Sequence, residues 1–310
     1  MSDKRPSLIA IAWRKPVRWL LAPIFHAGRS VALRRRALLR VATMTRLPVA
    51  TCTKIVPDTL RGVPIEWVSS TRKAPQRVIL YFHGGAYIVG AARIYRAVNA
   101  RLAEWAQARV AAVDYRLAPE HPFPAAPNDA LDAYRGLLER GIAAAEIVLA
   151  GDSAGGGLAL ACALQVRDTG LPMPAGIVLF SPWTDLSLSG ESMTSRADSE
   201  LMLEPGALRE AAAAYLGAAA AQSPLASPLF ANLRGLPPIL AQVTDTEVLY
   251  DDARRLAERV QAAGGEIELR IWHGLWHVWQ VFAGKVPEAD AALREVAAFV
   301  LRLTPRARST

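Results

Sequence analysis

The chain has 310 residues, 52 % of them hydrophobic and 21 % charged, with a formal net charge of +8. That length fits two average domains or one large α/β domain with a cap, and the composition excludes disorder as the global state. Two cysteines, Cys52 and Cys162, are too few for a disulfide framework or a thiolate zinc site, and the five histidines form no paired metal motif, so no metal site is expected.

The positive charge is concentrated at one end. Residues 1–46 hold eleven basic side chains and one acid, Asp3, whereas the other 264 residues hold 25 basic and 27 acidic ones. The body is nearly neutral, which argues against a nucleic-acid partner. Leu8–Trp13 is a short apolar stretch interrupted by Arg14-Lys15-Pro16, with no cleavage pattern after it. It is therefore not read as a secretion signal, and the apolar runs elsewhere fall short of the ~18–20 residues of a membrane span. A cytoplasmic location follows as the expectation. The segment predicts one or two amphipathic helices with Trp19, Leu20, Ile24 and Phe25 on one face. We read 1–46 as a helical cap segment whose basic face either covers a core edge or makes weak contact with a membrane surface.

From about residue 54 onward short β-type runs alternate with helical ones. Strands are predicted at Arg77–Phe82, Val110–Tyr115, Ile147–Ala150, Ile177–Phe180, Ile239–Val243 and Ile267–Trp272. Helices are predicted at Leu158–Arg167, Asp252–Ala263 and Ala289–Leu303, the last with apolar residues at a 3.6 period. This alternation implies an α/β fold, a mostly parallel sheet with helices on both faces. Residues 187–222 interrupt it with a Ser-, Ala- and Glu-rich stretch and a helix over Pro205–Ala221. We read this as a cap insertion that divides the core into 47–186 and 223–310 and pairs with the N-terminal segment.

Three groups of residues carry chemistry. Gly151-Asp152-Ser153-Ala154-Gly155 fits G-x-S-x-G, placed between a strand and a helix. A nucleophilic serine at that sharp turn takes strained backbone angles, and flanking glycines let the chains pass. The helix that follows points its N-terminus at the serine, where negative charge is favoured. His83-Gly84-Gly85-Ala86 follows an early strand, and its side-chain-free amides are candidate oxyanion donors, with His83 bracing the loop. An acid from Asp245, Glu247, Asp251 or Asp252, then a base from His273 or His277, completes the order serine, acid, histidine.

Longer stretches of the same text resemble one family. HGGA at 83–86, YRLAPEHPFPAAPND at 115–129, GDSAGG at 151–156, SPWTDLS at 181–187, LPP at 236–238, EVLYDD at 247–252 and HGLWHVW at 273–279 are similar to the hormone-sensitive-lipase family of α/β-hydrolase carboxylesterases, in its bacterial branch. The resemblance implies an α/β-hydrolase fold with an eight-stranded sheet, an N-terminal cap and a triad that needs no cofactor. It implies Ser153 as nucleophile, His277 as general base, and the amides of Gly84, Gly85 and Ala154 as oxyanion donors. The family's aspartate falls nine residues after Pro238, which is Glu247 here, so the expected triad is Ser153, Glu247 and His277, with Asp245 as the alternative acid.

Asp152 is expected to brace the loop or wall the site. Asp114, Arg116, Glu120 and Asp129 are expected to hold their loop. Trp183, Trp276 and Trp279 are expected in the acyl or alcohol pocket or in the core. The expected substrate is a small short- to medium-chain ester or lactone. An amide or N-acetyl hydrolase on the same triad and a non-catalytic ligand-binding homologue are the alternatives. A homodimer is expected by analogy alone.

Overall fold

The strands, in chain order, are β1 (Thr53–Leu60), β2 (Val63–Ser70), β3 (Val78–Phe82), β4 (Arg109–Val113), β5 (Ile147–Asp152), β6 (Gly176–Phe180), β7 (Ile239–Thr244) and β8 (Ile267–Trp272). In this computed structural model they form one sheet in the order β1-β2-β4-β3-β5-β6-β7-β8. The structure describes residues 5–45, 49, 51–72, 75 and 77–304. Asp3, Lys4 and Arg46 of the basic segment lie outside the described residues.

The register follows the burial pattern. β3, β5, β6 and β7 are buried at every position and pair in parallel in the middle of the sheet. Such strands have helices on both faces, so both sets of alternating side chains are apolar. β1 and β2 form an antiparallel hairpin at one edge, and β2 also runs antiparallel to β4. β1 interleaves partly buried with exposed positions, which suits an edge strand with one face to solvent.

The helices are α1 (Leu8–Leu21), α2 (Val31–Thr45), α3 (Arg96–Trp105), α4 (Ala125–Glu139), α5 (Ala154–Asp168), α6 (Ser192–Ser195), α7 (Pro205–Leu216), α8 (Tyr250–Ala262) and α9 (Pro287–Leu303). α3 packs with α9, and α4 packs with α5, giving two helical layers around the sheet. α5 begins at Ala154, four residues before the predicted start, because Gly155-Gly156-Gly157 continue the helix rather than form a loop. α7 stops at Leu216, where Gly217 takes φ 56° and ends it before the predicted Ala221.

The N-terminal segment and the 187–222 insertion touch. Ala27 N–H donates to Glu204 Oε2 (2.8 Å), Gly28 N–H to Glu210 Oε1 (2.8 Å), and Arg34 to Glu210 Oε2 (2.5 Å). Arg35 ties α2 to the 115–129 loop by donating to the Ile88 and Ala118 carbonyls (2.7 and 2.8 Å) and both oxygens of Glu120 (2.7 Å each). In return, that guanidinium holds the Glu120 carboxyl down at about 2. Tyr215 of α7 stacks on Tyr87, 3.8 Å between ring centres, so the insertion also rests on the loop after β3. Among the described residues no helix is long and apolar enough to cross a membrane.

Candidate active site

Parallel strands end on one edge of the sheet, and the loops that leave them there carry the candidate groups. β5 ends at Asp152, and Ser153 takes φ 52° and ψ −121° before α5 starts. A serine with positive φ costs about 1–3 kcal/mol, a strain the packing on both sides must hold. That packing allows no side chain. A Cβ on Gly151 would run into the Gly155 carbonyl, and one on Gly155 into the Phe82 carbonyl at the end of β3. The two glycines are thus required by close approach of α5 to the strands beneath it.

His277 lies in the loop after β8 and is buried, as is Glu247 after β7. The His277 Nδ1 is 2.6 Å from Glu247 Oε2. A carboxylate only accepts, so Nδ1 carries the proton and Nε2 is left as an acceptor. The other oxygen, Oε1, accepts from Ser181 Oγ (2.9 Å) and from the Thr244 amide (2.8 Å). Ser181 Oγ in turn accepts from Val278 N–H (3.2 Å), which locks the histidine loop to the same network. Burial disfavours the imidazolium of His277, but the hydrogen bond and charge of Glu247, with Glu200 and Asp152 behind it, outweigh burial and raise its pKa above the usual imidazole value.

Asp245 serves a different histidine. Its Oδ2 lies 2.8 Å from His273 Nδ1 and its Oδ1 accepts from Gly274 N–H (2.9 Å). This pair is partly exposed, while the Glu247–His277 pair is buried. Asp251 and Asp252 lie in the first turn of α8. Asp252 Oδ2 accepts the Thr184 and Asp185 amides (2.7 and 2.8 Å) and fastens the loop after β6.

Ser153, His277, Asp152, Gly85 and Ala86 line one cavity of about 240 Å³. Its other walls are mostly apolar and come from the N-terminal helices and the insertion (Trp13, Val17 and Leu21 of α1, Leu38 of α2, Met202 and Leu203), and also from residues 93–97 and from Val278, Val281 and Phe282 after β8. Trp183, Trp276 and Trp279 do not line it; all three are buried in the core. An aromatic wall does exist, but Trp13, Phe25, Tyr95 and Phe282 supply it.

The 83–86 loop corrects one expectation. The Gly84 N–H donates to Asp152 Oδ1 (2.9 Å), so that amide is occupied. Gly85 and Ala86, one step further on, reach the cavity. Asp152 also accepts from Tyr81 (2.8 Å) and Tyr95 (3.1 Å). Burial pushes its carboxyl up to about 6, with these three donors opposing the rise. His83 is buried, with Nδ1 2.7 Å from the Gly84 carbonyl, and stacks on Tyr115 at 4.4 Å. It braces the loop, and burial lowers its pKa. Asp114 accepts from the Ala92 amide (2.6 Å) and Asp129 clamps Arg116, so these charges also hold loops.

Two residues of the site carried no sequence signal of their own. Ser181 sits inside a matched motif, but only the tertiary contact shows its hydroxyl on Glu247. Glu200 lies in the 187–222 insertion, with Oε1 accepting from the amides of Leu201 and Met202 (2.8 Å each) and Leu203 (3.3 Å). Its Oε2 accepts from Val248 N–H (3.1 Å), next to Glu247. Burial raises its pKa. Among the described residues no group of three His, Cys, Asp or Glu side chains is placed to hold a metal ion.

Comparison with known proteins agrees with this architecture. Residues 79–281 match the family model described as the alpha/beta hydrolase fold. The chain is 43 % identical over 239 residues to an acetyl-hydrolase of Streptomyces hygroscopicus, covering 77 % of this chain and 80 % of that one. It is 38 % identical over 251 residues to an esterase of Acinetobacter venetianus, covering 81 % and 82 %. A crystal structure of an esterase from the bacterial hormone-sensitive lipase family superposes with a TM-score of 0.92 at 37 % identity, over 97 % of this chain and all of that one. The chain belongs to the hormone-sensitive-lipase family of α/β hydrolases.

Proposed function

We propose that the protein is a serine carboxylesterase that hydrolyses short- to medium-chain esters through an acyl-serine intermediate. The observation that carries this reading is the buried Glu247–His277 pair, 2.6 Å between Oε2 and Nδ1, on the cavity that Ser153 also lines. The esterase and acetyl-hydrolase relatives support the reaction class, and the small apolar cavity supports an acyl chain of modest length.

In this mechanism His277 Nε2 removes the proton from Ser153 Oγ as the oxygen attacks the ester carbonyl. Glu247 keeps the imidazole in the Nδ1–H tautomer and stabilises the imidazolium that forms. The oxyanion is held by backbone N–H groups of Gly85 and Ala86 together with Ala154, the first amide of α5, since the Gly84 amide is engaged by Asp152. Each such donor is worth about 10²–10³ in turnover. His277 then passes its proton to the leaving alcohol and the C–O bond breaks. Water, deprotonated by His277, attacks acyl-Ser153, and collapse releases the carboxylic acid and restores the serine hydroxyl.

The test is hydrolysis of p-nitrophenyl butyrate. Ser153→Ala should reduce turnover by about 10⁴-fold or more while the chain stays folded, and a fluorophosphonate probe should label the wild type at Ser153 and leave the variant unlabelled. Wild-type turnover by Ser153→Ala would refute the reading.

A further inference from the structure

The cap helix α1 is apolar on two faces, and the fold uses one of them. Ala10, Val17 and Leu21 are buried, and Trp13 packs on Phe282 with 5.6 Å between ring centres. The opposite face is left in solvent. Leu8 is 85 % exposed, Ile9 48 %, Ile11 49 % and Trp19 78 %. Trp19 was expected to share a face with Leu20, Ile24 and Phe25; instead it points outward while Ile24 is buried. Neighbouring side chains on a helix diverge by about 100°, so Leu20 turns to the cavity and Trp19 away from it.

The charges on that outer face have one sign. Lys15 and Arg18 are exposed between the apolar residues, and neither has a carboxylate partner among the described residues. No acidic residue occurs anywhere between Asp3 and Asp58. The helix is also held in place. Ser7 caps its start and donates to Glu288 (2.6 Å from the amide nitrogen), and Arg14 donates to the Gly274 carbonyl (2.6 Å). A clamped helix with Leu, Ile and Trp facing out among unpaired cations has the composition of an interfacial helix.

We propose that the outward face of α1 docks on an anionic lipid membrane, with Leu8, Ile11 and Trp19 entering the interface and Lys15 and Arg18 meeting lipid phosphates. Charge selects this occupant. A second copy, paired about a two-fold axis, would set cations against cations, whereas an anionic bilayer offers both the apolar layer and the counter-charge. The orientation has a geometric consequence. The inner face of the same helix supplies Trp13, Val17, Leu20 and Leu21 to the cavity that holds Ser153, so docking sets that cavity one helix diameter from the bilayer.

The experiment is co-sedimentation of the full chain with vesicles of equal parts phosphatidylcholine and phosphatidylglycerol, and with vesicles of phosphatidylcholine alone. The chain should bind the anionic vesicles at least about tenfold more tightly, and added salt should weaken binding. The double variants Leu8→Ser/Trp19→Ser and Lys15→Glu/Arg18→Glu should each lose about tenfold in vesicle affinity. Neither pair lines the cavity, so hydrolysis of soluble p-nitrophenyl butyrate and the thermal midpoint should stay at wild-type values. No binding by the wild type, or undiminished binding by both variants, overturns the proposal. So does light scattering that shows a dimer lost in Leu8→Ser/Trp19→Ser, because the face would then belong to a second copy. A soluble acidic protein that outcompetes the vesicles for the wild type also overturns it.

Discussion

Asp245 and Glu247 are two residues apart and answer to different histidines. Asp245 holds His273 where it is partly exposed, and Glu247 holds His277 in the interior. Substitution should therefore separate them sharply. Glu247→Gln should lower kcat for p-nitrophenyl butyrate by about 10³–10⁴-fold, because the amide stabilises the wrong imidazole tautomer and no imidazolium. Asp245→Asn should change it by less than about tenfold, as expected for a group that orders a loop. Glu200 acts at a distance through charge. The base must be neutral to take a proton, so activity rises with pH through the His277 pKa, which lies above the usual imidazole value. Glu200 contributes to that elevation, so Glu200→Gln should move the acid limb of kcat/KM to lower pH. A variant that lost activity with an unmoved limb would show Glu200 to be structural only. Counting from Pro238 points to Glu247, the carboxylate that contacts His277. The engagement of Gly84 with Asp152 was not readable in this way, because nothing in HGGA marks which of its amides a carboxylate 68 residues later will take.

At the scale of elements, the strand-to-helix turn depends on contact between β3, β5 and α5. Gly155 sits against the Phe82 carbonyl, a position with no room for a methyl group. Gly155→Ala should push α5 off β3, lower stability by about 1–3 kcal/mol and displace Ser153. The expected readout is a lower thermal midpoint together with a loss of kcat larger than the loss of folded protein. The central strands were legible because parallel strands covered on both faces are continuous apolar runs, as in Val78–Phe82 and Ile147–Asp152. The hairpin β1–β2 was not resolved as two strands, since Thr53–Leu60 is largely solvent-facing and carries Pro57, which weakens the β signal at an edge where proline is tolerated.

Over the whole molecule, buried carboxylates link stability to pH. Burial pushes Asp252 up from 3.8 to about 8, with the Thr184 amide opposing the rise. The folded state therefore holds a proton that the unfolded state releases near 3.8. This contribution is complete below the unfolded value and is lost as pH rises toward about 8, so it makes the thermal midpoint decline across that window. Asp152, raised to about 6, acts in the same direction over a narrower range. Asp252→Asn should flatten the decline, which scanning calorimetry at a series of pH values between these limits would measure.

By itself the sequence determined the fold class and the sheet-forming runs, and it offered a serine, an acid and a histidine as candidates in that order, because these depend on local periodicity and on motif spacing along the chain. The tertiary structure alone decided which partner each polar atom received. Ser181 reaches Glu247 across 66 positions, Glu200 reaches Val248 across 48, and Trp19 faces solvent while Trp13 walls the cavity. Such pairings depend on how strand ends and cap helices converge in space, and that convergence is set by the packing of all the elements together, to which no local stretch of sequence has access.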